Sequence, residues 1–259
     1  MKLHILPARQ GVVWVRKGIR TFFRQPLALS GLFFIFMALM SVLSLVPVLG
    51  NALALGLLPA ATLGLMVATQ LVTQGKFPKP LVLLSGFRAG RTKLRAMVVL
   101  GALYAAAILL TMAASALVDG GKFAKLYLLG SSMDADILQD ASFKSAAMLA
   151  MALYLPVSLL FWHAPALVHW HGVSPIKSLF FSAVACSRNM GAYIVYSLVW
   201  FGLFLGVSTV AALLAMLIGG EESVGSVLFP CGLVMAAMFF TSIYFTYADS
   251  FDAGTDVLA

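Results

Sequence analysis

Residues 27–46, LALSGLFFIFMALMSVLSLV, and residues 52–72, ALALGLLPAATLGLMVATQLV, decide the fold of this chain. They lie in a run of 51 residues between Arg24 and Lys76 that contains no charged side chain. This run has the length of two membrane spans, because one helix crosses the hydrocarbon core in about 20 residues. The segment Pro47-Val48-Leu49-Gly50-Asn51 favours a turn between them. The sequence therefore predicts a transmembrane helical hairpin.

The rest of the chain continues this pattern. Four more apolar stretches of span length follow, at 96–118, 145–168, 191–218 and 225–247. The 259 residues are 62% hydrophobic and only 10% charged, whereas a soluble globular domain carries about 25% charged residues. We therefore expect an all-α polytopic transmembrane helix bundle of six spans, forming a single integral membrane domain over 1–259.

Basic residues are distributed unevenly among the connecting segments. If the loops alternate between two sides of a membrane, the N-terminal segment, residues 76–95 and residues 172–190 share one side and hold 14 of the 17 Lys and Arg residues. The other side holds the remaining basic residues and six acidic ones: Lys122, Lys125, Lys144, Asp119, Asp134, Asp136, Asp140, Glu221 and Glu222. The positive-inside rule then predicts a bacterial inner-membrane protein with both termini in the cytoplasm. The acidic tail residues Asp249, Asp252 and Asp256 contribute little to that rule.

The pattern of residues 8–24 predicts an amphipathic helix before the first span. At about 100° per residue, one arc is basic, with Arg9, Arg16, Lys17, Arg20 and Arg24. A separate arc is apolar, with Val12, Val15, Ile19, Phe22 and Phe23. Such a helix is expected in the cytoplasmic membrane interface, apolar side down, where its cations contact anionic headgroups or a partner. The alternative is a basic collar that only fixes topology.

Two later segments resemble this element. Arg88, Arg91 and Arg95 have the spacing of one helix face and precede the third span, as further candidates for anionic-lipid or partner contact. Before the fifth span, Ser174-Pro175 is typical of a helix start. The helix that follows has Lys177, Ser178 and Ser182 on one side, largely opposite Ile176, Leu179, Phe180 and Val184. This pattern suggests a threefold repeat of interfacial helix plus hairpin, over 8–72, 82–168 and 174–247.

Sites for chemistry are scarce in the sequence. The predicted spans contain no Asp, Glu, Lys or Arg, which disfavours an ion-driven pump, and no phosphate-binding, nucleophile or zinc-protease motif occurs. The candidates for a haem or metal site are His163, His169 and His171, but on one helix they do not converge on a single face. We expect them to pack at the interface, and we expect no cofactor, metal or nucleic-acid partner.

Several soft motifs carry a family resemblance. They are Trp14-Val15-Arg16-Lys17-Gly18, Phe22-Phe23-Arg24-Gln25-Pro26-Leu27, Trp162-His163-Ala164-Pro165-Ala166-Leu167, His171, Pro175, Ser178, Ser182 and Arg188-Asn189. With these the chain resembles a family of proteobacterial multi-pass inner-membrane proteins, distantly similar to the membrane domain joined to some glycerophosphodiester phosphodiesterases. The resemblance implies a bacterial inner membrane and no particular activity. A phosphodiesterase domain does not occur in the sequence.

Three hypotheses for function remain open. The first is a non-enzymatic accessory, scaffold or assembly subunit that packs against membrane lipids, other membrane-protein subunits or a second copy of itself. The second is a channel or carrier for small neutral or amphipathic solutes. The third is a haem- or metal-binding membrane subunit that uses the histidines.

Overall fold

A computed structural model describes residues 2–46, 49–130, 137 and 139–251. The secondary-structure elements of these residues are helices, including one 3-10 helix, Pro80–Leu84, which precedes α4. In chain order the helices are α1 (Gln10–Phe22), α2 (Pro26–Ser44), α3 (Leu49–Thr73), α4 (Ser85–Arg88), α5 (Arg91–Asp119), α6 (Lys122–Leu129), α7 (Ala141–Phe161), α8 (Ala164–His171), α9 (Pro175–Arg188), α10 (Met190–Gly219) and α11 (Glu221–Ser250).

Within the described residues, six helical segments are long and apolar enough to cross a membrane. Five of them are α2, α3, α5, α10 and α11, and the remaining one, Ala141–His171, combines α7 and α8. Each predicted span end lies within five residues of the observed end. The predicted all-α polytopic bundle of six spans is therefore confirmed.

The turn of the first hairpin is shorter than the sequence predicted. Gly50 and Asn51 were placed in the turn, but both belong to α3, which begins at Leu49. Asn51 connects two helices instead, because its Nδ2 donates a hydrogen bond to the carbonyl of Leu128 in α6 over 2.5 Å. Pro47 and Val48 lie outside the described residues.

Asp119 ends α5 and starts α6. Its carboxylate accepts hydrogen bonds from the N–H groups of Gly121 (2.8 Å) and Phe123 (2.7 Å), which would otherwise lack partners in the first turn of α6. The end of the third span at this aspartate agrees with the prediction. The short helix α6 was not predicted, because eight residues give too little hydrophobic periodicity to recognise.

Asp140 caps the start of α7. It accepts a hydrogen bond from the N–H of Ser142 over 2.9 Å and pairs with Lys122. The hydrogen bond from Lys122, together with those from Ser142, lowers the pKa of Asp140 to about 2. Asp134 and Asp136, which the sequence placed on the same side, lie outside the described residues.

The helices pack as two compact units. Unit 1 comprises Met1–Ala38, Ala61–Ser85 and Ala185–Ala259, and unit 2 comprises Leu39–Ala60 and Gly86–Val184. In unit 1, α1 packs against α10 and α11, which also pack against each other. In unit 2, α5 packs against α6, α7 and α8. Each unit thus has its own helix–helix core.

Two glycines seat α1 deeply in unit 1. A Cβ at Gly11 would meet the carbonyl oxygen of Ala192 on α10, and a Cβ at Gly18 would meet the side chain of Ser242 on α11. Trp14, between the two glycines, is fully buried. Small residues let helix backbones approach closely, so this face of α1 is a packing surface.

The prediction for the apolar face of α1 is therefore wrong in part. Val15 and Phe22, which were expected to face lipid, are buried in unit 1, whereas Val12 is 39% and Phe23 62% exposed. The helical wheel weighs side-chain hydrophobicity, to which Gly11 contributes almost nothing. It could not recognise that the glycine side of the helix makes the closest contacts.

The helix before the fifth span begins at Pro175, as predicted. Its serine side faces the fold, since Ser178 and Ser182 are fully buried. Its apolar side faces outward, with Ile176 65% and Phe180 63% exposed. This arrangement suits a helix whose apolar side meets lipid while its small polar residues pack against protein.

Candidate functional site

The basic residues of the predicted helix 8–24 divide into two groups. The exposed members are Arg9, Arg16, Arg20 and Arg24. Lys17 is instead used within unit 1, because its ammonium pairs with the Asp249 carboxylate over 2.9 Å and lies 5.8 Å from the centre of the Phe245 ring. The four arginines are thus the cations that this segment presents at its surface.

Asp249 is the centre of a polar cluster that the sequence did not reveal. Besides Lys17, its carboxylate accepts hydrogen bonds from Gln10 Nε2 (2.6 Å) and Trp14 Nε1 (3.1 Å). Three donors on successive turns of α1 therefore converge on one acceptor of α11. Asp249 is the one carboxylate in residues 243–251, which are otherwise mostly apolar, and this could have indicated a buried partner. The sequence interpretation instead assigned Asp249 to the C-terminal tail. Asp252 and Asp256 lie outside the described residues.

The N-terminal segment is bound to the same end of unit 1. Leu3 pairs with Phe251 in an antiparallel bridge, and the N–H of His4 donates to the carbonyl of Ser250 over 2.9 Å. Asn189, just before α10, accepts from the N–H of Leu6 (2.8 Å) and donates to the carbonyl of His4 (3.1 Å). The residues before α1 are thereby held against the start of α10 and the end of α11.

The basic helix predicted before the third span is wrong as a single element. Arg88 ends α4, whereas Arg91 and Arg95 both lie in the first turns of α5, so Arg88 does not share a helix face with the other two. Gly90 separates the two helices with a φ of 95°, a conformation that glycine adopts readily. Since this middle element lacks the predicted helix, the threefold repeat stays a hypothesis.

A groove in unit 2 collects basic residues from the start of α5. It has a volume of about 540 Å³. Its lining residues are Ala89, Gly90, Arg91, Thr92, Lys93, Arg95, Ala96, Val99, Val168, Gly172, Val173, Ser174 and Pro175. Of the predicted contact residues, Arg91 and Arg95 are brought together here and Arg88 is not, while Lys93 is a member that the spacing argument missed. We refer to this feature as the basic groove.

His163 lies at a break in the fourth span. His163 is fully buried and stands between α7 and α8. In an unbroken helix its N–H would donate to the carbonyl of Leu159. Here the hydroxyl of Ser182 is inserted between them, accepting from the N–H of His163 (2.9 Å) and donating to the carbonyl of Leu159 (2.7 Å). Ser182 therefore satisfies both backbone groups at the break.

His169 and His171 are half-buried near the end of α8. His169 lies within electrostatic reach of Lys93, which lines the basic groove. Over the described residues, no group of three or more His, Cys, Asp or Glu side chains is arranged to hold a metal ion. The geometry therefore offers no argument for the haem or metal hypothesis.

The comparisons with known proteins agree with this architecture. The chain is 43% identical over 254 residues to a probable inner membrane protein of Burkholderia thailandensis, a match that covers 97% of this chain and 94% of that protein. No protein-family model and no solved structure matches the chain. The match gives no link to glycerophosphodiester phosphodiesterases. The chain belongs to the family of inner-membrane proteins that this Burkholderia protein represents.

Proposed function

We propose that this protein is a non-enzymatic accessory or scaffold subunit of the inner membrane, which packs through its fifth span against another membrane protein or a second copy. The observation that carries the proposal is the outer face of α10. Only 6% of the most apolar part of this helix is buried in the fold. On its surface, Gly202 and Gly206 have nothing within 4 Å of where a Cβ would stand.

The open glycines favour a protein partner over lipid alone. Exposed apolar side chains do not distinguish a protein partner from lipid, because lipid tails are as apolar as leucine. Glycines four residues apart share one helix face and let a second backbone approach closely. Glycines already allow close helix packing in unit 1, where Gly11 and Gly18 of α1 lie against α10 and α11. On α10 the equivalent surface has no neighbour within the described fold.

The first prediction tests this face. Changing Gly202 and Gly206 together to leucine should lower recovery of a stoichiometric partner or of the homodimer by about tenfold, equivalent to about 1.4 kcal/mol. The leucines would keep the backbones apart. The measurement is quantitative co-purification from native membranes in mild detergent, with native mass spectrometry to determine stoichiometry.

The matched control changes Gly31 and Gly225 to leucine. These two glycines also lie in membrane-spanning helices, and a Cβ at either position would likewise have no atom within 4 Å. They should leave partner recovery unchanged. The proposal fails if both double variants lose the partner equally, or if the wild-type protein is recovered as a monomer without stoichiometric partners.

The second prediction concerns orientation, which we propose from the charge distribution. A reporter active only in the periplasm should be active after Glu222 and inactive after Arg91 or Lys177, because the loops that hold most basic residues stay in the cytoplasm. Activity at Arg91 would contradict this orientation. The same orientation predicts activity after Asp136 and none after Ala259, both outside the described residues.

A further inference from the structure

We propose that the basic groove of unit 2 binds one anionic glycerophospholipid, with its phosphate among Arg91, Lys93 and Arg95. The inference goes beyond packing against a partner, since it assigns a ligand class to a defined site. It rests on the side chains that line the groove, on their charge balance, and on the order of charged and apolar residues along α5.

Among the described residues, no carboxylate compensates the charge of the groove. Its three cations lie within the first five residues of α5. No ion pair with a carboxylate involves any of them in the part of the chain that the structure describes. Arg91 and Arg95 offer forked N–H donors that match phosphate oxygens, and Lys93 adds a point charge. The groove therefore has the donors and the net charge that a phosphate group requires.

The remaining wall distinguishes a lipid from a free phosphate ion. Val99 follows Arg95 by one helical turn along the third span, and Val168, Val173 and Pro175 also line the groove. Charged residues thus give way to apolar ones in the direction in which α5 enters the membrane-spanning segment. A phospholipid has the same order of headgroup and acyl chain, whereas an inorganic phosphate would make no use of the apolar wall.

The groove also selects against a zwitterionic headgroup. No acidic side chain lines it among the residues that the structure describes, so a choline or ethanolamine ammonium would find no anionic partner in this lining. The same ammonium would be repelled by the three cations. The occupant is therefore a lipid whose headgroup is anionic overall.

The test uses the full chain, purified in detergent and stripped of lipid. Native mass spectrometry follows its titration with phosphatidylglycerol and with phosphatidylcholine of identical acyl chains. The variant Arg91→Gln/Lys93→Gln/Arg95→Gln should weaken phosphatidylglycerol binding on the order of 100-fold, about fivefold for each cation. The matched control Lys76→Gln/Lys79→Gln/Arg88→Gln removes the same charge from the same connecting segment, but not from the groove, and should bind like the wild type.

A second variant, Ala96→Trp, fills the groove and keeps every charge. It should also lose phosphatidylglycerol, so the inference can be tested even if the triple variant folds poorly. A 100-fold excess of inorganic phosphate is the competitor and should not displace the lipid. The inference is overturned by equal losses in both triple variants, by unchanged binding in Ala96→Trp, by equal binding of the two lipids, or by displacement with phosphate.

Discussion

Replacing Gly18 with leucine is expected to force α1 away from α11 and to destabilise the protein by roughly 3 kcal/mol, the upper end of the usual cost of overpacking. A Cβ at this position would lie 2.7 Å from the Cα of Ser242. Ser242 cannot move easily, because its hydroxyl is hydrogen-bonded to the Tyr196 hydroxyl (2.6 Å) and accepts a hydrogen bond from Trp200 Nε1 (3.2 Å) in a buried cluster. The substitution must therefore break that cluster or displace α1.

Two measurements follow this displacement. The midpoint of thermal unfolding in detergent should fall on the order of 10 °C, and trypsin should cleave faster next to Lys17 and Arg20, which flank the site. Gly31→Leu is the control, since a Cβ at that position would have no atom within 4 Å. Equal midpoints for the Gly18 and Gly31 variants would show that α1 does not pack as described.

The six spans could be predicted because their signal is local. An uninterrupted apolar run of about 20 residues specifies a membrane helix whatever its neighbours. The ends were less certain, as the third span shows: it begins at Arg91 instead of residue 96, because charged residues can continue a helix beyond the hydrocarbon core. The break at His163 was invisible in the hydropathy pattern, since residues 145–168 contain no Asp, Glu, Lys or Arg on either side of it.

The candidate site could be predicted only in part, because it depends on contacts between distant residues. Charge spacing identified Arg91 and Arg95, but Val168 comes to the groove from another helix, and no local pattern indicates that. The pairing of Lys17 with Asp249 is a similar case, since 232 residues separate them. Sequence patterns gave the right residue types, and the packing of helices decided which of them meet.

The last prediction concerns the break in the fourth span. Changing Ser182 to alanine should destabilise the protein by roughly 2–3 kcal/mol, because the N–H of His163 and the carbonyl of Leu159 would both lose their buried partner. Ser178→Ala is the matched control, because Ser178 is equally buried on the same helix. Its hydroxyl donates a hydrogen bond to the carbonyl of Pro175 within the first turn of that helix. That variant should cost less than about 1 kcal/mol. Unfolding midpoints in detergent measure both.

A double-mutant cycle decides whether Ser182 acts through the break itself. Pro165 has no N–H and its ring crowds the carbonyl of Phe161, so α7 and α8 cannot join as one regular helix when the serine is lost. Pro165→Ala restores that N–H and allows His163 to bond directly to Leu159. In this background, Ser182→Ala should cost at least about 1 kcal/mol less than in the wild type, a coupling within the usual range for residues of one hydrogen-bond network. Equal costs in both backgrounds would mean that Ser182 supports α9 alone, and that the proline does not determine where the fourth span breaks.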